Sequence, residues 1–128
     1  MFLDRVTRRG WRAATCLWAL VILALTSFPH PEQLITPPPG LDKLVHSAVY
    51  IPLAFFFARW LAASRHQLAS LAWMPLAVPC LFGLLDELHQ VPIPGRTFSW
   101  WDVAADCLGV VIGWGVAAAL IRAGRRHE

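Results

Sequence analysis

The sequence predicts an all-α integral membrane protein, a four-helix bundle with N and C termini on the cytoplasmic side. Three observations predict it. Four apolar stretches approach or reach the length that crosses about 30 Å of hydrocarbon at about 1.5 Å per residue. The 128 residues are 57% hydrophobic and only 15% charged, too little polar surface for a soluble domain of that size. The charges also sort by loop: nine of the eleven Lys and Arg lie at the two ends and in one middle break, whereas six of the eight carboxylates lie in or within a turn of the two other breaks.

The first predicted span, about 11–28, follows a basic arm of Arg5, Arg8, Arg9 and Arg12. It is read as retained rather than as a cleaved signal peptide. After its apolar core the chain runs Thr26, Ser27, Phe28, Pro29, without the small-x-small site that cleavage needs. The break that follows holds Pro29, Pro31, Pro37, Pro38 and Pro39, and is expected to be a stiff polyproline-like strap over the helix ends. The second span, about 44–63, leads through a short link bearing Arg59 and Arg65 to the third, about 67–85. The fourth, about 103–121, is followed by Arg122, Arg125 and Arg126, while Lys43 and Arg96 are the bases of the other two loops.

The positive-inside rule then puts both termini in the cytoplasm and the loops at about 29–43 and 86–102 outside, in a multi-pass protein of the cell inner (plasma) membrane. Trp11, Trp60, Trp100 and Trp101 fall near span ends, where indoles favour the headgroup region. Pro52, Pro75 and Pro79 fall inside spans and are expected to kink them. Cys16, Cys80 and Cys107 match no metal-ligand spacing and read as small buried hydrophobes, with Cys80 and Cys107 expected at similar depths. No internal repeat appears, so residues 1–128 form one domain. The net charge of +3 and pI near 9.1 come from the inner flanks; they signal topology and anionic-lipid contact, not nucleic-acid binding.

Polar residues converge at one depth. Asp42, His46 and Tyr50, spaced by fours, form one helical stripe descending from the outer surface, with Lys43 beside them. Gly83, Glu87 and Gln90 share a face at the end of the third span, and Arg96 follows in the loop. Asp102, Asp106, Gly109 and Gly113 give the fourth span a carboxylate stripe above a small-xxx-small surface that lets another helix approach, a second copy of the chain included. Asp106 lies a full turn inside its span, where an unpaired carboxylate costs up to about 2.5–3.5 kcal/mol, so a polar partner or a proton should accompany it. Each residue alone reads equally well as a cap or an interhelical hydrogen bond, with Asp102 a natural N-cap. The group at one depth reads as a site. His66 and His89 fall outside these stripes.

Two blocks resemble the VanZ-like family of small bacterial membrane proteins: Asp42-Lys43-x-x-His46-x-x-x-Tyr50, and Gly83-x-x-x-Glu87-x-x-Gln90-x-x-x-Pro94-x-Arg96 continuing to Asp102-x-x-x-Asp106-x-x-Gly109-x-x-x-Gly113. The resemblance covers roughly residues 12–122. It implies a place in the bacterial cell envelope and, because the family takes its name from a protein linked to teicoplanin resistance, an influence on glycopeptide antibiotic susceptibility. The family usually shows Asn where this chain has Asp106, so a neutral donor and acceptor has become a group that can be charged.

Asp42, Asp86, Glu87, Asp102 and Asp106 against Lys43 and Arg96 leave a formal excess of three negative charges. A retained proton, an oxygen-liganded cation such as Mg²⁺ or Ca²⁺, or a cationic ligand would resolve it; sequence spacing supports no zinc site. The leading expectation is an enzyme acting on an amphiphile of the outer leaflet, a lipid headgroup or lipid-linked envelope precursor. Glu87 and His46 would be its acid and base, and Asp102 and Asp106 would carry a metal or orient His46. Asp42, Lys43, Tyr50, Gln90, Arg96 and Trp101 would hold the substrate, with Lys43 and Arg96 on a phosphate or carboxylate. The alternative is a protein without chemistry that binds an envelope component or shields it from an antibiotic. Proton-coupled transport fits less well, since the cytoplasmic halves of the spans are almost wholly apolar.

Overall fold

The computed structural model describes residues 6–29, 38, 40–64 and 73–126. Most of the proline-rich strap, the residues Arg5, Arg65 and His66, and the beginning of the predicted third span lie outside the described residues. Within them the chain forms four α-helices: α1 (Arg8–Thr26), α2 (Leu41–Ala63), α3 (Met74–Gln90) and α4 (Trp100–Arg125).

Local chemistry sets the helix ends. The Thr7 hydroxyl accepts from the Gly10 amide at the start of α1, and the Ser99 hydroxyl accepts from the Asp102 amide at the start of α4. Ser99, not Asp102, is therefore the N-cap of α4. Pro75, expected to kink a span, stands in the first turn of α3, where its missing N–H would have had no intrahelical partner. Pro52 and Pro79 do lie inside α2 and α3.

Three helices extend past the predicted limits toward the polar end. The α2 helix starts at Leu41 rather than 44, α3 runs on to Gln90 rather than ending at 85, and α4 starts at Trp100 rather than 103. Asp42, Lys43, Glu87, Gln90 and Asp102 are thus helical, with fixed directions, instead of belonging to loops.

Side-chain contacts give the directions. Trp11 packs on Phe55 and the Trp18 indole donates to the Val49 carbonyl, so α1 runs antiparallel to α2. Gly109 faces Ser47 and Gly113 faces Ile51, so α4 runs parallel to α2. Thr26 at the end of α1 meets Asp86 near the end of α3. The bundle alternates up and down, and α1 and α3 finish where α2 and α4 begin.

The α2–α4 seam is the tightest. Its two glycines touch the Ser47 and Ile51 carbonyls so closely that a Cβ at either would lie 2.1–2.2 Å from an oxygen. The small-residue surface expected to admit a second copy of the chain is therefore occupied by α2 of the same chain. Ile22, Tyr50, Leu53, Ala54 and Val110 form the central apolar cluster.

The distribution of polarity is inverted relative to a soluble bundle. Ser47, Asp86, Glu87, Gln90 and Asp106 are buried, while Leu17, Leu20, Leu81, Leu108, Val111 and Val116 point outward. Such an exterior costs nothing against hydrocarbon and much against water. By length and composition α2 (41–63) and α4 (100–124) qualify as membrane spans. Of the four spans predicted, two are thus matched in length and hydropathy. α1 carries Arg8, Arg9 and Arg12 in its first turns, and α3 has 17 described residues.

Candidate functional site

The site occupies the end of the bundle where α1 and α3 stop and α2 and α4 start. Each of three helices delivers one residue to a single point: His46 from α2, Glu87 from α3 and Asp106 from α4, with potential ligand atoms all within 4.8 Å of one another. Helical periodicity explains each delivery. Tyr50, Ser47 and His46 lie on the inward side of α2, Gly83, Glu87 and Gln90 on that of α3, and Asp106 on the face that continues into Gly109 and Gly113.

His46 Nδ1 stands 3.0 Å from Asp106 Oδ1, and this contact is the hub of the site. Asp106 and Glu87 are each 1% exposed. Glu87 is held from both sides: the Gln90 amide donates to Oε1 at 3.1 Å and the Ser99 backbone N–H donates to Oε2 at 3.1 Å. Gly83 makes the assembly possible, because Asp106 Cβ, Asp106 Oδ2 and a Tyr50 ring carbon lie 3.2–3.3 Å from where its Cβ would be.

Asp86, which contributes to the formal negative excess but lies on neither predicted stripe, joins the cluster as well. It is 3% exposed, receives the Thr26 hydroxyl at 2.7 Å and lies 3.4 Å from the Gln90 amide nitrogen. The i,i+4 spacing of Asp86 and Gln90 is the signal that points to it. Nothing in the sequence pairs Thr26 with Asp86, 60 positions away. The Tyr50 hydroxyl is buried close to Asp86, Glu87 and Asp106; its approach to Asp86 falls short of hydrogen-bond geometry, so it makes no well-formed hydrogen bond among the described residues.

A cavity of about 130 Å³ opens beside this cluster, walled by Ile22, Leu25 and Thr26 of α1, by His46, Val49 and Tyr50 of α2, and by Asp86 and Arg96. His46 thus has one nitrogen engaged with Asp106 and belongs to the cavity wall as well.

The other predicted members are placed differently. The Lys43 ammonium pairs with Asp42 at 2.8 Å and with Asp102, forming a bridge at the rim. Arg96 does not reach the acids. It donates through Nη2 to the Leu25 carbonyl at 3.0 Å and through Nε to the Phe28 carbonyl at 3.3 Å, closing the C-terminus of α1 where the helix dipole favours a cation. Gly95, with φ 79°, supplies the left-handed turn that aims the loop toward α1. Trp101 is 78% exposed and points away from the cluster. His89 lies 4.0 Å from Asp86 on the outer side of α3.

At the opposite end Trp11, expected at a headgroup belt, is buried, with the Arg59 guanidinium 5.2 Å above its ring. Cys80 and Cys107 remain free thiols that neighbour each other.

The arrangement is chemically capable in two ways. An imidazole oriented by a carboxylate, beside a second carboxylate, can carry protons; the same three groups can ligate a cation. Among the known families, the model described as VanZ/LLP1 matches residues 20–122. No curated protein and no solved structure matches the chain.

Proposed function

The chain belongs to the VanZ/LLP1 family, and from that membership and the site we propose that it acts on the polar headgroup of an amphiphile, a lipid or lipid-linked envelope precursor, at the outer leaflet. The observation that carries the reading is the convergence of His46, Glu87 and Asp106 beside a cavity that His46 lines together with Asp86 and Arg96 at its polar end and Ile22, Leu25, Val45 and Val49 on its apolar side. A headgroup needs the polar end of such a cavity. An acyl or prenyl chain needs walls such as Ile22, Leu25 and Val49.

In this reading all four helices span the membrane of a bacterial cell envelope, both termini are cytoplasmic, and the cluster lies near the outer surface. The basic termini support that orientation, and the exposed Trp100 and Trp101 beside the polar end support its depth at a membrane interface. Asp106 holds the imidazole in place, His46 meets the headgroup, and Glu87 completes the reactive centre. Lys43, Asp42 and Asp102 tie the starts of α2 and α4 together at the rim, and Arg96 fixes the end of α1. An effect on glycopeptide susceptibility would follow from a changed envelope component.

The test compares envelope lipids and glycolipids by mass spectrometry in cells lacking the protein, complemented with wild type, or complemented with Glu87→Gln at matched abundance. A species that changes with wild type and not with the variant is expected. Identical profiles in all three strains would refute action on an envelope lipid.

A further inference from the structure

We infer that His46, Glu87 and Asp106 bind one divalent transition-metal ion, Mn²⁺ or Zn²⁺; the ion's purpose rests on the reading above, its presence on the ligand geometry. Three helices each contribute one donor, and all donors fall within 4.8 Å. Spacing along the chain hides such a site, because the ligands are separated by 41 and 19 positions.

Charge makes the second argument. Asp86, Glu87 and Asp106 are each at most 3% exposed, and buried carboxylates need a cation or a proton. The nearby bases are committed elsewhere, Lys43 to Asp42 and Asp102 and Arg96 to the carbonyls of α1. The Tyr50 hydroxyl supplies an observation of another kind. It is 2% exposed, lies close to the same carboxylates, and its approach to Asp86 falls short of hydrogen-bond geometry, leaving it without a well-formed hydrogen bond among the described residues. A buried hydroxyl left in that state is costly; an ion or its bound water would give it a partner.

The donor types select the metal. Mg²⁺ and Ca²⁺ take oxygen ligands, whereas an imidazole nitrogen beside two carboxylates suits Mn²⁺ or Zn²⁺. The supporting hydrogen bonds are those a ligand set needs. Gln90 and Ser99 fix both oxygens of Glu87.

The experiment uses the full chain in detergent micelles, stripped with a chelator, dialysed separately against Mn²⁺ and Zn²⁺, and assayed for bound metal by mass spectrometry. About one ion per chain is expected, with affinity at least about 10-fold weaker in Glu87→Gln and in Asp106→Asn and unchanged in Gly115→Ala, where nothing lies within 4 Å of the added carbon. Electron spin-echo spectra of Mn²⁺-loaded wild type should show imidazole nitrogen coupling, which needs no variant to fold. Retention well below one ion per chain, equal retention in both variants, or Mn²⁺ without nitrogen coupling would each overturn the inference. Metal bound as expected in a protein whose loss leaves envelope lipids unchanged would support the site and refute the proposed function. A Glu87-dependent lipid change in a protein that holds no ion would do the reverse.

Discussion

Replacing Gly109 with Ala should unseat the candidate site from a position that carries no polar atom in its side chain. A Cβ there would lie 2.1 Å from the Ser47 carbonyl oxygen, where ordinary contact begins at 3.4 Å; 3.4 less 2.1 requires α4 to retreat from α2 by about 1.3 Å. The obstructing atom is helix backbone, which cannot swing aside. Overpacking of this kind costs about 1–3 kcal/mol, and the upper end applies here. Alanine recovers about 1 kcal/mol of helix propensity, so the net loss should be about 2 kcal/mol. Gly115, with nothing within 4 Å of its Cβ position, is the control, and Gly115→Ala should be neutral or stabilising by up to about 1 kcal/mol. Thermal unfolding in detergent, followed by circular dichroism at 222 nm, gives the order Gly115→Ala at or above wild type and Gly109→Ala below it. The site should fail as well. Asp106 lies one turn from Gly109 and His46 adjoins Ser47, so the 3.0 Å contact opens beyond hydrogen-bond range. A Gly109→Ala midpoint equal to wild type would refute the backbone-contact argument.

Thr26→Val should remove the donor at 2.7 Å from Asp86 and leave a buried carboxylate oxygen short of a partner, a loss of about 1–3 kcal/mol in the same assay. Thr26→Ser should restore most of it, and equal midpoints for the two variants would speak against the bond. Arg96→Ala should free the carbonyls of Leu25 and Phe28 at a cost of about 1 kcal/mol. It should also raise the labelling rate of a cysteine placed at Phe28. Arg96→Lys should recover only part, since a single ammonium lacks the two-armed reach of a guanidinium.

What the sequence displays of this protein is what helical periodicity encodes. The inward direction of His46 and Tyr50, the common face of Gly83, Glu87 and Gln90, and the run from Asp106 to Gly113 all follow from spacings of three and four, and each residue is found on such a face. Relations between helices are not encoded that way. Arg96 looks like an anion clamp until the end of α1 is placed beside it, and the Gly109–Gly113 surface looks free until α2 fills it. Trp101 looks like a site residue by its position in the chain, but its neighbour Asp102 takes the inner side of the helix and leaves the indole outside. Asp86 and Thr26 pair through a contact 60 positions apart that no local pattern announces.

The seam between α2 and α4 also restricts which motions are open to the protein. A slide of α4 by one helical turn would bring Ala105 opposite Ser47 or Ala117 opposite Ile51, since these alanines sit four positions beyond the two glycines on either side. Either slide sets a methyl group where the facing carbonyl tolerates only hydrogen. The pair is keyed like a lock with one depth of cut, so piston-like sliding along it is forbidden. That leaves tilting of α1 or α3 against the pair as a route by which a ligand could enter.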